Sequence, residues 1–241
     1  MSGHSKWNNI KHKKEKADAA KAKIFTKIGK EMAVAIKAGG PDPNNNSKLR
    51  DLIAKAKANN VPNENIQRTI KKFTDAGDIN FEEISYEGYG PSGVAIIVET
   101  STDNRNRTAG NVRSWFNKYG GNLGQTGCVS YLFEEKGVIT IVDEDEELDE
   151  DKLMEDALES GAEDIRNDEG EYSIYTAPAD LDTVRDAIIA LGYKISTADV
   201  AKVPSTYVDL TSEEDIENME KMLDKFNEDD DVTAVFTNWD N

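Results

Sequence analysis

The chain reads as an α+β protein: an N-terminal three-helix domain followed by two ferredoxin-like α/β domains, one inserted in the other. Three observations predict this. Apolar residues recur at helical spacing up to about residue 77, and beyond it strand patterns alternate with helical ones. The first 72 residues carry 17 Lys and Arg against 6 Asp and Glu, while the remaining 169 carry 12 against 41. The strands and helices of the second part fall into two β-α-β-β-α-β series, the split order of ferredoxin-like folds.

Residues 1 to about 16 have no apolar period and form a basic arm with one aromatic, Trp7. From Ala17 a helical stripe runs through Ile24, Ile28, Met32 and Ile36, and Gly39-Gly40-Pro41 stops it. Ser47 is the expected N-cap of a second helix, on which Leu49, Leu52, Ile53 and Ala56 repeat, and Asn59-Asn60 before Pro62 ends it. Ile66, Ile70 and Phe73 mark a third, closed by Gly77 at the C′ position. The outward faces of these helices are expected to carry Lys27, Lys30, Lys55, Lys57, Arg68, Lys71 and Lys72.

The inner series is contiguous: strand 138–142, helix 149–160, strands 164–166 and 172–176, helix 179–191, strand 194–200. The outer one is split around it, with strand 94–99, helix 103–118 and strand 128–133 before, and strand 206–210, helix 212–227 and strand 232–237 after. The expected domains are therefore 1–77, then 78–136 with 204–241, with 137–203 inserted.

Composition sets limits on function. The longest apolar runs, Val94–Val98 and Ala187–Leu191, are far shorter than the roughly 20 residues that cross a bilayer, so no membrane partner is expected. The N-terminus is Lys-rich without an apolar core, which makes a cytoplasmic location the expectation. The single cysteine, Cys128, sits among Val129, Tyr131 and Phe133 and reads as a small packed hydrophobe. Both histidines, His4 and His12, lie in the arm, and no serine or cysteine has a local base partner. No catalytic residues, metal site, cofactor or small-molecule substrate are expected. The acidic run from Asp143 to Asp151 has Leu148 where a calcium loop needs glycine, so it reads as a solvated loop.

Two glycine-rich stretches invite a phosphate. Gly88, Gly90 and Gly93 spell G-x-G-x-x-G, but they precede a strand instead of following one, and Pro91 removes an amide, so a tight turn is favoured. Gly120, Gly121, Gly124 and Gly127 could converge backbone N–H groups on an anion, although no Lys-Ser/Thr follows; a flexible turn is favoured there too. Arg105 and Arg107 open a helix capped by Thr102 or Asp103, where a cation opposes the helix dipole and needs an anionic partner, either a nearby carboxylate or a polyanion.

The opening MSGHSKWNNIKHKK, YEGYGPSGVA at 86–95, TDNRNRTAGNVR at 102–113 and GGNLGQTGCVSYLF at 120–133 together resemble the YebC/PmpR family across nearly the whole chain. The resemblance implies three domains and a non-enzymatic role in gene expression. Members are described as DNA-binding transcriptional regulators and as translation factors acting with the ribosome, including a mitochondrial translational activator and bacterial factors that relieve stalling on proline-rich stretches.

The residues themselves point to nucleic acid. The cations expected to meet phosphates are His4, Lys6, Lys11, His12, Lys13 and Lys14 of the arm, with Trp7 among them, the seven helical residues above, and Arg105 and Arg107. Lysine is a point charge suited to phosphates, and a flexible Lys-His-Trp arm threads among unstacked RNA better than it reads a major groove. Ribosomal RNA and the ribosome are the favoured partners and DNA the alternative, with the acidic remainder facing away from the polymer. A protein-interaction scaffold is a third reading.

Overall fold

The computed structural model describes residues 17–75, 81–143, 148–168 and 170–240. The basic arm, the expected C′ Gly77 and part of the 143–151 acidic loop lie outside them.

Three helices come first: α1 (Ala17–Gly39), α2 (Ser47–Ala58) and α3 (Asn63–Asp75). Ile28, Met32 and Ile36 of α1 close on Leu49, Leu52 and Ala56 of α2 and on Ile66 and Ile70 of α3. Each such aliphatic side chain contributes about 1.5–3 kcal/mol on burial. The N-cap of α2 is Asn46 and not Ser47. Its side chain accepts from the Leu49 amide at 3.1 Å and donates to the carbonyls of Ala35 and Gly40, each at 2.8 Å, so one buried amide both starts α2 and ties off α1. Serine, with one hydroxyl, has too few groups to do this.

The outer sheet is antiparallel, in the order β3-β1-β2-β9: β1 (Glu82–Tyr89), β2 (Ala95–Thr102), β3 (Asn122–Leu123) and β9 (Val232–Thr237). Helix α4 (Arg105–Lys118) and helix α7 (Glu213–Glu228) cover one face, where Val94, Ile96 and Val98 meet Phe116, Met219, Met222 and Phe226. Ala95 and Ile97, on the other face, are covered by Cys128, Val129, Leu132 and Phe133. With both faces buried, the first half of β2, Ala95–Val98, is a continuous apolar run.

The strands differ from expectation in three places. β1 is a strand absent from the expected series, and the tight turn expected at the Gly88–Gly93 glycines is present from Gly90 to Val94, where it joins β1 to β2. The segment 128–133 is a short 3-10 turn (Ser130–Leu132) and not a strand. Only Val208–Asp209 of 206–210 is extended; this β8 pairs in parallel with β10 (Trp239–Asp240), outside the main sheet.

The chain leaves the outer unit along β4 (Phe133–Val142) and builds α5 (Glu150–Glu159), β5 (Asp164–Asp168), β6 (Glu171–Thr176), α6 (Leu181–Ala190) and β7 (Thr197–Pro204). The order β5-β6-β4-β7 with antiparallel neighbours is the ferredoxin-like arrangement. Ile139, Ile141 and Ile174 face Leu153, Ala157, Val184 and Ile188 of its two helices.

Candidate nucleic-acid interface

Helix α1 runs alongside β2 and β9 and turns Lys27, Lys30 and Glu31 toward them, because residues three and four apart share a helix face. Lys30 Nζ lies 2.6 Å from Asp231 Oδ1 and 3.0 Å from the Asp230 carbonyl, with its side chain only 15% exposed. The other Asp231 oxygen accepts from Arg107 Nη2 at 2.6 Å, Thr108 Oγ1 at 2.9 Å and Thr102 Oγ1 at 3.2 Å. Burial alone would raise this carboxyl, but the hydrogen bonds from Lys30, Arg107 and Thr108 hold its pKa at about 2. One carboxylate at the start of β9 thus joins the helical domain to the N-terminus of α4.

Two more expected cations are turned inward. Lys27 Nζ donates to the Asn227 carbonyl at 3.1 Å. Lys55 Nζ lies 3.4 Å from Asp199 of β7, on the wall of a cavity of about 270 Å³ between the helical domain and the two sheets. Burial pulls the Lys55 ammonium down, yet Asp199 and Glu31 outweigh it and raise it above the ordinary lysine range. Across the same cavity, burial raises Glu31 in spite of Lys55. The expectation that Lys27, Lys30 and Lys55 lie on outward faces is therefore corrected: the acidic part of the chain holds them.

Lys57, Arg68, Lys71 and Lys72 are exposed and take part in none of the described ion pairs. Arg68, Lys71 and Lys72 lie at i, i+3 and i+4 on α3. Arg50, exposed and two turns before Lys57 on the same side of α2, joins them; sequence reading passed over it. On α4 the cap is Asn104, which accepts from the Arg107 amide at 3.1 Å, in place of Thr102 or Asp103. Arg107, itself about half exposed, bridges Asp103 and Asp231, whereas Arg105, turned away by the roughly 200° between residues two apart, is exposed and takes part in none of the described ion pairs. His4, Lys6, Trp7, Lys11, His12, Lys13 and Lys14 lie outside the described residues.

The 120–133 stretch does gather amides around an anion, and the anion belongs to the chain. Glu87 of β1, 4% exposed, accepts from the amides of Gly127 at 2.8 Å, Val129 at 2.9 Å and Ser130 at 2.8 Å. Burial raises its carboxyl, but the three amides outweigh that and hold it below the ordinary range. A Cβ on Gly88 would stand 2.6 Å from the Asn122 carbonyl, and one on Gly121 would stand 2.5 Å from the Tyr89 carbonyl. These glycines admit a neighbouring backbone, not a nucleotide. Cys128 is half-buried, and burial followed by the nearby Glu87 pushes its thiol up, away from reactivity.

A model of the TACO1/YebC N-terminal domain matches residues 5–76, and a model of the second and third domains of TACO1/YebC matches residues 81–239. The chain belongs to the TACO1/YebC family. A protein of Agathobacter rectalis named a probable transcriptional regulatory protein is 56% identical over the full length of both chains. One of the same name from Acetivibrio thermocellus is 55% identical over 99% of each. Among solved structures, that of a hypothetical protein from Aquifex aeolicus matches with a TM-score of 0.83 at 45% identity, covering 96% of this chain and 95% of that one.

Two residues central to this TACO1/YebC structure, Asp231 and Glu87, were missed in the sequence. Asp231 sits in an Asp229-Asp230-Asp231 run that reads as a solvated strand entry. The available signal for Glu87 was a lone acid within a glycine- and tyrosine-rich run leading into the most apolar strand. Among the described residues, no group of three or more His, Cys, Asp or Glu is placed to hold a metal ion, and no helix is long and apolar enough to cross a membrane.

Proposed function

We propose that this TACO1/YebC protein is a non-enzymatic regulator of gene expression that binds nucleic acid through the outer face of its helical domain, acting on ribosomal RNA as a translation factor. The observation that carries this reading is the segregation of charge. In a chain of net charge −18, Arg50, Lys57, Arg68, Lys71 and Lys72 remain exposed without described ion pairs. Such cations supply sequence-independent, salt-sensitive affinity by releasing counterions from phosphates. The arm adds Lys6, Lys11, Lys13 and Lys14 to the same end of the chain.

A second reading, a DNA-binding transcriptional regulator, is favoured by the names of the relatives. It also draws on geometry: α3 follows α2 after the short 59–62 connection and exposes Gln67, Arg68 and Lys71, side chains able to reach base edges. Sedimentation of nuclease-treated and untreated lysate separates the two. Co-migration with ribosomes after DNA digestion, lost when Lys57, Arg68, Lys71 and Lys72 are changed to Glu, is the result expected here. Retention of a promoter fragment with no ribosome co-migration would establish the transcriptional reading instead.

A further inference from the structure

The longest run without a charged residue in the sequence is 119–133, 15 residues in a chain that is 32% charged. Folding places it as the loop that Glu87 clamps. The Gly124 amide donates to the Glu87 carbonyl at 2.8 Å, the Tyr89 hydroxyl donates to the Cys128 carbonyl at 3.0 Å, and Val129 is buried against Ala95 and Ile97. The backbone is thus fixed at Gly124, Gly127, Cys128, Val129 and Ser130 while Asn122, Gln125, Thr126 and Tyr131 face solvent. Tyr131 is 72% exposed, more than any other large apolar side chain among the described residues. Its hydroxyl lies beside that of Tyr89, which pushes the Tyr89 phenol up. The Glu87 charge below is taken up by three amides, and no residue from Tyr119 to Phe133 carries a charge.

A protein this acidic repels a polyanion over most of its surface, so a second contact with RNA needs a surface that is neutral and already ordered. This loop is both. Tyr131 offers an aromatic face for an unstacked base, and Asn122, Gln125 and Thr126 offer donors and acceptors for its edges. We propose that the 122–131 loop is a second RNA contact that takes unpaired bases by stacking on Tyr131, with Glu87 as the positioning residue that sets its shape. The proposal rests on the nucleic-acid reading above and assigns base contact to the loop and phosphate contact to the helical domain.

The two contacts differ in salt dependence, which makes them separable. The probe is fluorescein-labelled oligouridine of about 20 nucleotides, a length that spans a typical single-strand site, with a duplex RNA of equal length as control. Tyr131→Ala, at an exposed position, is expected to weaken oligouridine binding by about fivefold or more, since one stacked base contributes at least that much. Its salt slope and its duplex affinity stay unchanged, and Tyr131→Phe binds as the wild type does. In the Lys57→Glu, Arg68→Glu, Lys71→Glu, Lys72→Glu variant the slope itself falls. Wild-type affinity in Tyr131→Ala beside loss in the charge-reversal variant overturns the loop assignment and leaves the helical-domain reading standing. Wild-type affinity in both, or a wild-type protein that ignores oligouridine, overturns the two together.

Discussion

The two sides of helix α2 show what happens to a cation in this protein. Lys55 and Lys57 are two residues apart, so they project in nearly opposite directions. Lys55 faces the cavity and Asp199, while Lys57 faces solvent without a described ion pair. The same division runs through the helical domain: Lys27 and Lys30 are held by groups at the far end of the chain, and Arg68, Lys71 and Lys72 are not. A count of cations is therefore not a count of phosphate contacts. Some of the positive charge in the first 72 residues docks the helical domain on the acidic part, and only the rest is free to meet a partner.

This contrast breaks most severely at Asp231. Asp231→Ala leaves the largely buried Lys30 without its carboxylate, while the half-exposed Arg107 keeps Asp103, and is expected to cost about 3 kcal/mol, the low end for breaking a buried pair, measured as a lowered denaturation midpoint followed by tryptophan fluorescence. The native carboxyl, with its pKa at about 2, lies below the unfolded value near 3.9. Its contribution is therefore fully present above about pH 4 and is lost as pH falls through about 2, removing about 2 kcal/mol; in Asp231→Ala that part of the acid limb is absent.

Glu87→Gln comes next. An amide has one acceptor oxygen where three N–H groups on two oxygens are now satisfied, so at least one buried donor loses its partner at a cost of about 1–3 kcal/mol. Hydrogen exchange at Gly127, Val129 and Ser130 is expected to accelerate, with no change in α1–α3. The smallest effect sharpens the comparison from the other side. Lys48 and Glu83 form an exposed pair at 2.6 Å between the helical domain and β1, and Lys48→Ala is expected to change stability by less than about 1 kcal/mol, because exposed pairs contribute little.

The helices were legible in the sequence because their signals are local: α1 ends at the expected glycines, and α2 and α3 carry the expected stripes. The inner series was legible for the same reason. The errors fall where a distant group decides. β1 is hard to see as a strand because Gly88 breaks its pattern just before a true turn at Gly90–Gly93, yet Gly88 is there for the backbone of β3. Residues 128–133 alternate like a strand through Val129, Tyr131 and Phe133, but the amides of Val129 and Ser130 are taken by Glu87, 42 and 43 positions away. The inward turn of Lys30 depends on Asp231, 201 positions on. Periodicity reports which residues share a face; it does not report what that face meets.

The central claim is that the outward cations bind nucleic acid while the inward ones hold the domains together. It is tested most directly by titrating labelled RNA against the wild type and the Lys57→Glu, Arg68→Glu, Lys71→Glu, Lys72→Glu variant across a range of salt. Removing four phosphate contacts is expected to lower the slope of log affinity against log salt by about 3, with the denaturation midpoint unchanged. An unchanged slope in a folded variant would contradict the account.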